Sequence, residues 1–228
     1  MDSYPLDKFQ NKAIIVNPSN YFSVDLVSIP KDSKKYLEKV ILPQGMIVDR
    51  IEQLAKDIID TNPGKSLTFL VIMKSALTYA NYLQKFFIDF KKSNDTCHYF
   101  YEYVTVSSYE DDKSTGHIVI KTNEKVFEEL KGKDVVIVED MYDSGKTMDH
   151  LLKYLQKFQP SSVQIACLFL KQNVANLVYN LDIKYLGFVI PKDTFIIGFG
   201  MDFNEVFRDL NHSCLLSKEG YKMLTEGK

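Results

Sequence analysis

The densest chemistry in the chain lies in Glu139-Asp140-Met141-Tyr142-Asp143-Ser144-Gly145-Lys146-Thr147, directly after the apolar run Val135–Val138. The Gly145-Lys146-Thr147 tail matches the end of a triphosphate-binding loop. That motif needs a second glycine five residues before Gly145, and position 140 is Asp. Three carboxylates so close together would also repel a triphosphate. A different chemistry fits better. If a helix starts near Thr147, the N–H groups of residues 143–147 converge on one spot at its positive end. Ser144 and Thr147 add hydroxyl donors, and Gly145 lets the backbone approach closely. Such a cradle suits one phosphate monoester. Glu139 and Asp140 can accept from vicinal hydroxyls or stand near a magnesium ion, which prefers oxygen ligands. A phosphate beside a diol is a ribose 5-phosphate.

Positioning such a cradle requires a strand running into it and a helix leading away. Val135–Val138 is the strand, ending in an acidic loop, and the spacing predicts a helix over about 147–158, closed by Pro160. Other continuous apolar runs, Leu67–Met73, Val163–Leu170 and Tyr185–Ile190, read as buried strands, with Phe195–Phe199 as a further short one. The aromatic and β-branched segment 97–106 is another strand, followed by a polar loop over Ser107–Gly116. Helical spacing appears at 47–59, where Asn62-Pro63-Gly64 ends the run, and again at about 76–90. Strands apolar along their whole length, alternating with helices, make an α/β fold: a mostly parallel twisted sheet flanked by helices. Ligands on such sheets bind beyond the carboxyl ends of the strands, here just after Met73, Val138, Leu170 and Phe199.

Composition narrows the class. The 228 residues are 45% hydrophobic and 25% charged, enough for a full core. Lys plus Arg is 28 against 30 for Asp plus Glu, so a protein held to nucleic acid by charge alone is excluded. Cys97, Cys167 and Cys214 are too scattered for a disulfide framework, and the last two sit in apolar runs as small buried hydrophobes. No CxxC or HExxH spacing suggests zinc. The start of the chain lacks the features of a secretory signal, and no apolar run approaches the ~20 residues of a membrane span. A cytoplasmic protein is expected.

The acids followed by Asp143-Ser144-Gly145-Lys146-Thr147 resemble the phosphoribosyl-pyrophosphate signature of the type I phosphoribosyltransferases. Lys171, Gly187–Pro191 and the tail from Phe195 through Asp202 and Arg208 to His212 resemble the eukaryotic hypoxanthine-guanine group, as do Ser108-Tyr109 and Ser114-Thr115-Gly116. The likeness runs from about Asp7 to Tyr221. It implies a single domain, with a core over about 45–185 and a small hood from about 1–40 plus 186–228.

It further implies transfer of phosphoribosyl from 5-phosphoribosyl 1-pyrophosphate to a 6-oxopurine, with magnesium as cofactor. By resemblance, Glu139 to Asp140 and Asp143 to Thr147 hold the ribose phosphate, and Asp143 handles the proton at purine N7. Lys171 donates to the purine O6, Phe195 stacks on the base, and Ile196 meets its exocyclic edge beside Asp202. Asp202 holds the metal, to which Glu139 and Asp140 also stand close. Lys74, Ser75 and Arg208 bind pyrophosphate, and Ser108 and Tyr109 belong to a mobile loop that closes over the site. A homodimer or homotetramer is expected, with no nucleic-acid or membrane partner. The chain departs from the group's pattern at Ser75, Ser107, Tyr142 and Gln172. Family members often carry a cis peptide between the residues matching Lys74 and Ser75. A non-catalytic relative that binds the same ligands as a sensor is the alternative.

Overall fold

In the computed structural model, which describes residues 12–91, 96–108, 118–172 and 182–226, the apolar runs become strands buried on both faces. The elements in chain order are β1 (Ile14–Ile15), α1 (Lys31–Lys34), β2 (Leu37–Leu42), α2 (Gln44–Thr61), β3 (Leu67–Met73), α3 (Leu77–Phe90), β4 (Tyr99–Ser108), β5 (Ile118–Ile120), α4 (Glu124–Glu128), β6 (Asp134–Tyr142), α5 (Lys146–Leu155), β7 (Ser162–Lys171), β8 (Tyr185–Ile190), β9 (Ile196–Ile197) and β10 (Ser213–Leu216), with a closing helix over Lys218–Glu226.

Seven strands form one sheet in the order β1-β8-β7-β6-β3-β4-β5, all parallel except β5. Successive side chains of a strand point to opposite faces, and both faces are covered. Phe69, Val71, Val136 and Val138 join one core with Ile47, Ile51, Leu54 and Ile58 of α2. Leu70, Ile72, Val135 and Ile137 join the other with Leu151 and Leu155 of α5. The apolar stripe of α2 is what the helical spacing predicts, and each such side chain contributes about 1.5–3 kcal/mol by leaving water.

From β3 the chain adds β4 on one side, then returns to place β6 on the other. That reversal leaves a crevice at the carboxyl ends of β3 and β6, the place where open α/β sheets bind ligands. A smaller antiparallel sheet, β2-β10-β9, caps this end. Its own core contains Val40, Ile197, Phe207, Leu210 and Cys214. Both β8 and β1 pair in the large sheet. His212 braces cap to core: its Nδ1 accepts from the Gln44 N–H at 2.9 Å and its Nε2 lies 3.1 Å from Ser28 O. Among the described residues no helix is long and apolar enough to cross a membrane.

Candidate active site

Sequence spacing ends the central strand at Val138, but β6 continues to Tyr142 because β7 keeps pairing with it. Glu139 lies opposite Cys167, Met141 opposite Phe169 and Tyr142 opposite Leu170. Glu139 and Asp140 therefore stand in the strand itself, held by its ladder, instead of in an acidic loop. The turn that follows is set by Gly145, whose φ of +83° is left-handed. A Cβ built there would lie 2.2 Å from the Tyr142 hydroxyl, so any other residue would strain the backbone and push that ring aside. Helix α5 starts immediately afterwards, with its first-turn N–H groups at the crevice.

Glu139, Tyr142, Asp143, Ser144, Gly145 and Thr147 line a cavity of about 120 Å³ at this helix end. Lys146 is exposed and does not line it. A second cavity of about 210 Å³ adjoins, walled by Ser75, Asp140, Lys171, Phe195, Ile196 and Asp202. Asp143 and Met141 border both. Lys171 ends β7, and its Nζ lies 3.2 Å from Asp143 Oδ2. The lysine side chain is 13% exposed and the aspartate 54%, so the pair spans the wall and the opening of the cavity. Phe195 is 48% exposed, unusual for a large ring, and meets Phe203 edge to face at 5.7 Å. Met141 and Met201 also line this cavity. Spacing alone did not reveal them, since a methionine in an apolar run looks like any core residue.

The two strand acids have an electrostatic problem. Burial, then the charge of Asp140 beside it, pushes the Glu139 carboxyl well above the usual carboxylate range. Burial also raises Asp140, against hydrogen bonds from Glu139 and the backbone and the charge of Arg208. Two carboxylates this close and this dry do not both ionise freely. The arrangement suits a visiting cation or hydroxyl donors.

On the far wall, Arg208 donates from Nη1 to Ser75 Oγ at 3.0 Å and to Gly200 O at 2.9 Å. Its Nη2 lies 2.8 Å from Asp202 Oδ1 and 3.4 Å from Glu205 Oε2. Its partners are thus Asp202 and Glu205, rather than the adjacent Asp209. Lys74 Nζ reaches the same Glu205 oxygen at 3.1 Å. Glu205 was not foreseen; the signal was an acid three residues before Arg208. The cis peptide falls between Met73 and Lys74, one bond earlier than the resemblance implied. Gly200 (φ +98°) packs so closely that a Cβ would lie 2.2 Å from Ser75 O, which ties the cap to the β3–α3 loop. Ser108 ends β4, paired with Ile118, whereas Tyr109 lies outside the described residues.

Comparison with known proteins places this arrangement. The family model "Phosphoribosyl transferase domain" matches residues 39–204. A hypoxanthine-guanine-xanthine phosphoribosyltransferase of Plasmodium falciparum is 38% identical over 217 residues, covering 92% of this chain and 90% of that protein. The human hypoxanthine-guanine phosphoribosyltransferase is 34% identical over 200 residues, covering 87% of this chain and 90% of the relative. Among solved structures, the hypoxanthine-guanine phosphoribosyltransferase from Schistosoma mansoni in complex with IMP shares the fold, with a TM-score of 0.74 at 23% identity. It covers 92% of this chain and 97% of the other.

Proposed function

We propose a residue-level mechanism from the premise that this chain belongs to the hypoxanthine-guanine phosphoribosyltransferases. It is a transferase of purine salvage. Pyrophosphate on C1 of 5-phosphoribosyl 1-pyrophosphate is exchanged for N9 of a 6-oxopurine, giving the nucleoside monophosphate. The observation that carries the residue roles is the pair of adjoining cavities sharing Asp143 at the carboxyl ends of β6 and β7.

The smaller cavity takes the 5-phosphate on the α5 N-terminus, with Ser144 and Thr147 donating and Gly145 allowing close approach. Lys146 adds positive charge from outside. Glu139 and Asp140 accept from the ribose hydroxyls. The larger cavity takes the base. Phe195 stacks on the purine, Ile196 and Asp202 border its exocyclic edge, and Lys171 donates to O6. Adenine would set an amino group against the ammonium, leaving donor facing donor, and sites built this way discriminate strongly. Asp143, 3.2 Å from Lys171, holds the proton at N7 as general acid or base. The transition state is oxocarbenium-like, so positioning and neutralisation of the leaving group supply most of the acceleration. Lys74, Ser75 and Arg208 take the departing pyrophosphate.

A magnesium ion fits the donor chemistry. Among the described residues no group of three or more His, Cys, Asp or Glu forms a cage. Magnesium suits such a site, because it keeps waters and shares substrate oxygens with one or two carboxylates. Asp202 would hold it, with Glu139 and Asp140 nearby, where a cation would favour the ionised forms that burial opposes. When bound, it neutralises charge on the pyrophosphate. Core and cap act as one catalytic domain. A homodimer or homotetramer is supported by exposed Ile88 and Phe100, which border one cavity on α3 and β4. A cytoplasmic location is supported by Cys167 and Cys214, both buried and outside any disulfide.

The test is steady-state product formation with magnesium, offering hypoxanthine, guanine, xanthine and adenine separately. Turnover of 6-oxopurines and not adenine is expected. Equal turnover of adenine would remove the role given to Lys171. Tight binding without turnover of any base would replace the enzyme by a sensor.

A further inference from the structure

The cations assigned to pyrophosphate already face a carboxylate. Glu205 Oε2 lies 3.1 Å from Lys74 Nζ and 3.4 Å from Arg208 Nη2. The glutamate is 63% exposed, so solvent does not bar it from swinging away. Its backbone is held more firmly than its side chain. The Glu205 N–H donates to Asp202 Oδ2 at 2.7 Å, and Phe203 and Val206 exchange backbone bonds across the turn. Asn204 and Glu205 are consecutive left-handed residues, at φ +52° and +66°, and neither is glycine. Side chains rarely adopt that conformation, so the turn is specified by its surroundings. It presents one carboxylate to two cations that sit on different elements, the β3–α3 loop and the cap.

We propose that Glu205 sets the affinity for pyrophosphate, by occupying its cationic cradle and having to leave it when a diphosphate enters. Carboxylate and phosphate oxygens accept from the same ammonium and guanidinium donors, so the two compete for one set of hydrogen bonds. The competition favours release as well as opposing entry, since the carboxylate is tethered beside the cradle and ready to return. Its strength is limited. Exposed ion pairs are weak and screened by salt, which puts the effect at about two- to fivefold in a binding constant.

The inference rests on the reading of Lys74 and Arg208 as pyrophosphate ligands. The experiment therefore measures the KM for 5-phosphoribosyl 1-pyrophosphate, the KM for hypoxanthine and the inhibition constant of inorganic pyrophosphate in three proteins: the parent, Glu205→Gln and Arg208→Gln. Glu205→Gln is expected to lower the first and third constants about two- to fivefold and leave the purine KM unchanged, the gain shrinking as salt rises. A merely structural role would weaken binding, the opposite direction. Unchanged or weaker pyrophosphate binding in Glu205→Gln, alongside clear loss in Arg208→Gln, sinks this inference and leaves the cradle intact. Unchanged pyrophosphate binding in Arg208→Gln removes the cradle itself and the inference with it.

Discussion

At the amino end of β6, Asp134 accepts from Ser162 Oγ at 2.5 Å and faces Lys65 at 3.1 Å. Near its other end, Glu139 and Asp140 stand side by side in a drier setting. The first carboxyl is drawn below its ordinary value, chiefly by the Ser162 hydrogen bond and then by Lys65. Glu139 is pushed well above its own, chiefly by burial. The contrast extends across the sheet. Next to Asp134, Asn62 and Gln164 bond each other at 2.8 Å, and the Tyr185 hydroxyl lies 2.7 Å from Gln164 Oε1 and 2.6 Å from Thr61 Oγ1. Every one of those groups finds a neighbour in the chain. The largest cavity of those described here, about 500 Å³, lies at that same amino end, bordered by Asp60, Thr61 and Tyr185. Its Arg50 is already committed to the carbonyls of Lys12, Leu186 and Gly187. Size does not mark the chemistry; unresolved electrostatics does.

The sharpest way to break this contrast is to neutralise one acid at each end. Asp143→Asn should lower kcat by about 10²–10⁴-fold, the usual worth of a general acid or base. Asp134→Asn should leave the rate alone. A comparable loss from both would end the distinction between the two regions. Next in size, Lys171→Gln should cost about 10- to 100-fold in kcat/KM for hypoxanthine, the value of a hydrogen bond to a charged group. The penalty against adenine should shrink, because Gln can accept from its amino group, and a two-substrate comparison would read this directly. Gly145→Ala should raise the KM for 5-phosphoribosyl 1-pyrophosphate by about tenfold, since an unfavourable left-handed residue costs ~1–2 kcal/mol. An unchanged KM would mean the turn tolerates a side chain after all.

Stability gives the smallest and most discriminating effects, measured without substrate or metal. Glu139 has a raised folded value, so its favourable contribution is complete below about pH 4.3 and is lost as pH climbs through that raised value. Glu139→Gln should therefore match the parent in acid and exceed it increasingly toward neutrality, by about 2–4 °C in Tm for each ~1 kcal/mol. Asp134 is the mirror case. Its contribution is present above about pH 3.9 and is lost as pH falls through its depressed value. Asp134→Asn should lose about 1 kcal/mol at neutral pH and converge with the parent in strong acid. Thermal melts from about pH 2 to pH 8 would expose either sign being wrong.

Strands β3, β6, β7 and β8 of the large sheet were legible because they are buried on both faces, which turns local composition into a clear signal; β1, with both residues exposed, and the short β5 gave none. Leu67–Met73 and Tyr185–Ile190 are found where the apolar runs place them. The cap was not legible strand by strand. Leu37–Leu42 interleaves Glu38 and Lys39 with apolar residues, and its partner Ser213–Leu216 is far away in sequence. Such pairing is decided by tertiary contact, not by local pattern. The same limit applies to the site. The run from Glu139 to Thr147 could be read because it is contiguous, and its helix start was placed within one residue. Arg208 to Ser75 and Lys74 to Glu205 join residues more than a hundred positions apart, so their partners emerge only from the fold.

The three cysteines give the molecule its own reporters. Cys167 lies in the sheet beneath the acids, Cys214 in the cap core and Cys97 just before β4, all of them buried. Burial pushes the Cys214 thiol up to about 12, and Cys167 is raised well above its ordinary value. In the closed protein neither offers a thiolate, so a small alkylating reagent should react only through opening. Labelling that reaches Cys214 first would time the parting of the cap, while Cys167 waits for the sheet to open. Bound nucleotide should then slow the first clock by holding cap and crevice together, without any tag being added to the chain.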